Sequence, residues 1–118
     1  MQNIDDMLYR LSKSKFRGSF HLNTKMKIYV CDKGLDVVRG HAYDFIRVRL
    51  GPANPKNDGK QTPMRQVHPV FIAQHACACC CRGCLEKWYH ISRDRDLTRD
   101  EVDYIVELLM EWIRRECH

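Results

Sequence analysis

The sequence has 118 residues, 44% hydrophobic and 30% charged, with a formal net charge of +5. That length and apolar fraction suit one globular domain and exclude both a pair of domains and wholesale disorder. No apolar run approaches the ~20 residues that span a bilayer. Met1–Arg17 carries Asp5 and Asp6 and no long apolar stretch, unlike a secretory signal, so a single soluble, cytoplasmic domain over residues 1–118 is expected, with no membrane partner.

In chain order, residues 1–22 read as an N-terminal extension in which Ile4, Met7, Leu8 and Leu11 make a short helical stripe. Residues 23–50 read as a helical pair. Asn23-Thr24 can cap the first helix around Met26, Ile28, Tyr29 and Val30, and Gly34 stops it. Leu35, Val38, Ala42, Phe45 and Ile46 give the second helix its apolar period, out to Leu50 and a halt at Gly51-Pro52. Residues 51–66 hold Pro52, Pro55, Gly59 and Pro63 among polar side chains and read as a long loop. From Pro69 to Ala73 an apolar run fits either a buried strand or one helical turn. A short helix follows from about Arg82 to His90. The C-terminal helix, 97–117, starts on the capping box Thr98/Glu101 and buries Val102, Ile105, Val106, Leu109, Trp112 and Ile113. The expected fold class is therefore mainly α: about four helices around an irregular Cys/His centre, residues 67–92.

Charge is uneven. Residues 39–65 carry +4 and residues 94–118 carry −4. Arg47, Arg49, Lys56, Lys60, Arg65, Arg82 and Lys87 would supply phosphate contacts if they shared a face, which makes nucleic acid a candidate partner. Cations scattered over a solvated surface are the plainer reading.

Seven cysteines stand in the chain, five of them within residues 77–84. A disulfide framework spreads its cysteines to close long loops, and this crowding cannot. Reduced thiols that bind metal or do redox chemistry fit better. Cys81-Arg-Gly-Cys84 is a CxxC: its turn can aim two thiolates at one ion, and the helix start behind it favours thiolate. His75, six residues upstream of Cys81, is the best third ligand, since an N/S mixture suits zinc. His68 is the candidate fourth, although neither a helix nor a strand over residues 69–74 brings both imidazoles to one ion, so that stretch would have to bend. Cys80 is the alternative fourth ligand, and His90 ranks low because it lies on another face of the short helix. Cys31, Cys77, Cys79 and Cys117 read as small apolar residues, His21, His41 and His118 as surface or packing residues, and Phe71, Trp88 and Trp112 as core.

The stretches His68-Pro-Val-Phe-Ile-Ala-Gln-His75-Ala and Cys80-Cys81-Arg-Gly-Cys84-Leu-Glu-Lys-Trp88 resemble a small bacterial family, domain-of-unknown-function family 4186. So do Lys33-Gly-Leu-Asp36, His41-Ala with Asp44-Phe-Ile, Asn57-Asp-Gly-Lys-Gln-Thr-Pro-Met64 and Leu97-Thr, over roughly residues 10–115. The resemblance implies that His68, His75, Cys80, Cys81 and Cys84 form the core set. It implies no activity. The family tends to threonine where this chain has Cys77 and Cys79, and to Trp-His where it has Trp88-Tyr89.

Three functions follow as expectations. A zinc-stabilised module that binds nucleic acid or a protein comes first. A metal-dependent hydrolase or nuclease, with His68 or Asp58 as general base, is second. Thiol redox or metal sensing through Cys80, Cys81 and Cys84 is third.

Overall fold

The structure, a computed structural model, describes residues 1–118 and is wholly helical. α1 spans Ile4–Lys13 and is followed by a 3-10 turn, Arg17–Ser19. α2 spans Thr24–Lys33 and α3 Leu35–Phe45, the latter continuing as a π-helical turn over Ile46–Leu50. Then come α4, Pro69–Ala76, α5, Arg82–Tyr89, and α6, Arg99–Glu116. Six helices replace the expected four. α1 is a full helix, its N-terminus capped by Asn3, burying Met7, Leu8 and Leu11. The apolar run at Pro69 is also a helix. All eight residues of α4 are buried, so it carries no polar face from which a period could be read.

α6 is the axis of the packing. Its buried face, Val102 to Ile113, meets α1, α3 and α4, and one apolar cluster runs through all of them. The Thr98/Glu101 capping box starts it as the sequence predicts, with Thr98 Oγ1 accepting from Glu101 N at 3.1 Å and Glu101 accepting from Thr98 N at 2.8 Å. Asn23 caps α2 by accepting from Met26 N. No helix is long and apolar enough to cross a membrane.

Two tight helix ends aim the centre of the molecule. α4 finishes in a Schellman turn: Cys79 N–H reaches Gln74 O, Ala78 N–H reaches His75 O, and Ala78 sits left-handed at φ 56°. That reversal delivers Cys80 and Cys81 directly to the start of α5. α5 also ends on a left-handed residue, His90 at φ 58°, but in the simpler αL form, with His90 N–H on Glu86 O. His90 is a helix terminator, exposed and outside the sulfur cluster.

The loop 51–66 is held down by a side chain expected at the surface. Arg82 is fully buried, and its guanidinium donates to the carbonyls of Leu50, Gly51, Pro52, Ser92 and Arg95. One cation therefore gathers the end of α3, the loop and the α5–α6 connection. Gly51 is required there, because a Cβ would collide with the Arg47 carbonyl oxygen.

Candidate metal centre

Cys80, Cys81 and Cys84 bring their Sγ atoms within 4.8 Å of one another. Cys81 is the N-cap of α5, its Sγ accepting from Cys84 N at 3.4 Å, so the CxxC wraps the first turn of the helix. Cys80, one residue earlier, comes in from the Schellman turn and lies 3.6 Å from Cys84 Sγ. A tetrahedral zinc with Zn–S of about 2.3 Å sets its sulfurs roughly 3.8 Å apart, so the Cys80–Cys84 edge is already near that spacing. Cys80 and Cys81 are 8% exposed, and Cys84 is the member of the trio that opens more to solvent.

The sulfurs face a cation. Arg17, from the 3-10 turn, is buried and donates through Nη1 to Cys80 Sγ at 3.5 Å and through Nη2 to Cys84 Sγ at 3.1 Å. Its third partner is the His75 carbonyl at 2.8 Å. No carboxylate pairs with it, so its counter-charge has to come from sulfur. A hydrogen bond from the Cys84 thiol and the Arg17 guanidinium, working against burial, bring Cys80 down to about 7, while Cys84, as donor and part-buried, is raised. Burial raises Cys81. A divalent ion on three thiolates leaves one negative charge, which Arg17 cancels. Soft donors, their spacing and this charge balance all fit a thiophilic divalent metal such as zinc.

The histidines are placed elsewhere. His75 is buried and stacked on Phe20, with ring centroids 5.4 Å apart, and its Nε2 donates to the Thr62 carbonyl at 3.0 Å. It neighbours the sulfurs but lies outside the three-residue cluster. His68 caps α4: its Nδ1 accepts from Val70 N at 3.0 Å, and its Nε2 meets Nδ1 of His41 at 3.1 Å inside a ring of Tyr29, Phe45 and Phe71. Both nitrogens are engaged, so it has none to offer an ion. Helix α4 holds the two imidazoles at its opposite ends instead of bending to join them. Cys77 and Cys79 are fully buried, and burial raises both thiols. Cys31 and Cys117 are exposed.

Three polar side chains pin the loop against this centre. Thr62 Oγ1 donates to Cys80 O at 2.9 Å and accepts from Gln74 Nε2 at 3.2 Å. Asp58 accepts from the N–H groups of Arg82 and Gly83, both at 2.9 Å, across the N-terminus of α5. It is not free to act as a general base. Gly83 permits the approach, since a Cβ would lie 3.2 Å from Asp58 Oδ2. Sequence reasoning missed Arg17 altogether. It stands in a polar, basic stretch more than 60 residues from the sulfurs, and nothing local marks it.

Among the basic residues, Arg82 is interior and cannot meet a phosphate. Arg49 lies over the Phe45 and Phe71 rings and donates to Gln61 O, and Arg47 pairs with Asp44. Lys56, Lys60, Arg65 and Lys87 are exposed.

No solved structure matches this chain. A family model does, over residues 5–114, the stretch that runs from α1 almost to the end of α6 and contains all three sulfurs and Arg17. The chain belongs to the domain of unknown function family DUF4186.

Proposed function

We propose that this protein is a small zinc-binding module whose ion is held by the thiolates of Cys80, Cys81 and Cys84. The observation that carries the reading is the Arg17 guanidinium, buried with sulfur as its only source of negative charge. An uncompensated buried cation is costly, and three metal-bound thiolates supply the missing charge permanently. The ion would tie the end of α4, the start of α5 and, through Arg17, the N-terminal segment. Stability gained this way is folding free energy for a chain of this size. The loop that Thr62 and Asp58 hold against the centre carries exposed Lys56, Lys60 and Arg65, the face that a nucleic-acid partner would meet.

Elemental analysis of the purified protein tests it. About one zinc per chain is expected, lost in Cys81→Ser and Cys84→Ser and kept in Cys31→Ser, whose thiol is exposed and remote from the cluster. Substoichiometric metal in the native protein, or full metal in Cys84→Ser, would overturn it. A second reading rests on the 3.6 Å Cys80–Cys84 approach: metal-free, this pair suits reversible oxidation. Thiols that react equally with and without chelator favour that reading over zinc.

A further inference from the structure

Zinc completes its shell with four ligands in closed structural sites and keeps one position open where only three side chains bind. Here no fourth His, Cys, Asp or Glu side chain joins the three sulfurs to close the shell. His75 Nε2 donates to Thr62 O and its ring is clamped on Phe20, which fixes it where neither ring nitrogen lies within 4.8 Å of all three sulfurs. His68 is bonded through both nitrogens at the far end of α4. Asp58 receives the first N–H groups of α5 together with Gln61 Nε2, and Cys79 Sγ turns back to the Cys77 carbonyl. Meanwhile the cluster opens towards solvent on the side of Cys84, the part-exposed sulfur that Arg17 touches. A guanidinium has five N–H donors, and Arg17 uses three of them, on Cys80, Cys84 and the His75 carbonyl. Two remain without a protein partner.

Resting on the zinc reading above, we propose that the fourth coordination position belongs to an exogenous small anion, which Arg17 draws in and orients. Its planar fork suits an anionic ligand, and a donor that enters the open position gains a bond to the metal together with hydrogen bonds from the N–H groups Arg17 has left over. Three cysteines and an arginine then make a binding site, whereas a closed four-ligand knot would serve structure alone.

The test uses the whole protein loaded with cobalt(II), which takes zinc's place and reports its ligands by colour. The sulfur-to-cobalt charge-transfer band must appear first; its absence sinks the zinc reading and is a separate failure. With the band present, azide and cyanide are titrated, with imidazole as a neutral comparison. We expect saturable shifts of the visible bands with each anion, and at least tenfold weaker anion binding in Arg17→Gln with the charge-transfer band retained. Arg17→Lys, which keeps the charge and loses the fork, should fall between, and it stands in if Arg17→Gln does not fold. Imidazole affinity should be nearly unchanged in either variant. Visible bands that no anion shifts would overturn the proposal, as would a His75→Ala spectrum showing the loss of a nitrogen ligand. Anion affinity equal in the native, Arg17→Gln and Arg17→Lys proteins would remove Arg17 from the site.

Discussion

His68 Nε2 and His41 Nδ1 meet at 3.1 Å, joining the N-cap of α4 to the middle of α3. Because Val70 N–H donates to His68 Nδ1, a neutral His68 carries its proton on Nε2 and gives it to His41. A proton added to His68 Nδ1 would break the helix cap. Burial, with His41 adding to it, accordingly holds His68 down at about 4, below the 6.5 of an exposed imidazole. The unfolded chain then binds the extra proton more readily. This contribution to stability is complete above about pH 6.5 and is lost as pH falls towards 4. Since the ring is only half-buried, its size is on the order of 1–2 kcal/mol.

His68→Asn keeps a capping side chain and removes the titrating group. Urea unfolding at pH 7.5 and pH 4.5 should show the native protein losing about 1–2 kcal/mol more than this variant. Metal release in acid affects both alike, so the difference belongs to the dyad. Parallel losses would show that His68 does not titrate as described.

Arg82 supports a larger prediction. With five carbonyl partners and complete burial, its removal strands those acceptors at once and unties the loop from the α5–α6 connection. Arg82→Met should cost about 3–5 kcal/mol. In a domain of this size that lowers Tm by well over ~10 °C. Arg82→Lys restores charge but not the fork, and should recover less than half of the loss. A calorimetric Tm within a few degrees of the native value in either variant would contradict this account.

The two buried arginines also mark where sequence stops being legible. α6 and the α2–α3 pair could be read because each shows a polar face, an apolar face and a cap, all local signals. α4 could not, since burial on every side erases the period. Cys81 and Cys84 could be paired because a CxxC turn is local, and Cys80 stood beside them. The engagement of His75 by Thr62 and of His68 by His41 depends on contacts 13 and 27 residues apart. Arg17 and Arg82 defeat composition rules in the same way. Arginine is mostly a surface residue, and only the tertiary fold shows which ones face sulfur or carbonyl oxygen.

Removing Arg82 from the surface also limits what nucleic-acid binding can look like. With Arg49 stacked on Phe45 and Phe71 and the exposed Arg47 held in an ion pair with Asp44, four exposed and unpaired cations of the original seven remain, Lys56, Lys60, Arg65 and Lys87. Four phosphate contacts give a log–log salt slope for duplex DNA no steeper than about −3.6. Fluorescence anisotropy between ~50 and ~200 mM salt should find weak binding within that limit, with the slope reduced by about 2.7 on replacing Lys56, Lys60 and Arg65 together by Gln. A slope indifferent to the triple change would take the loop out of any such interface.

Asp58 carries the last prediction, because it bridges the loop and the metal centre. Its carboxylate receives the Arg82 and Gly83 N–H groups and Gln61 Nε2, while Arg93 stands 3.8 Å away. Part-burial works against its charge, yet those donors and Arg93 outweigh it and hold the carboxyl below its ordinary range. Those N–H groups are the unpaired donors at the head of α5, the helix that presents Cys84. Asp58→Ala should cost about 1–2 kcal/mol, as the loss of a charged helix cap does. Metal affinity should fall with it, since a frayed first turn no longer sets Cys84 against Cys81. Asp58→Asn keeps an acceptor and should give less than half of both effects. Competition with a chromophoric chelator measures the affinity. An Asp58→Ala protein that holds zinc as tightly as the native one would show that the two cysteines are positioned without the loop.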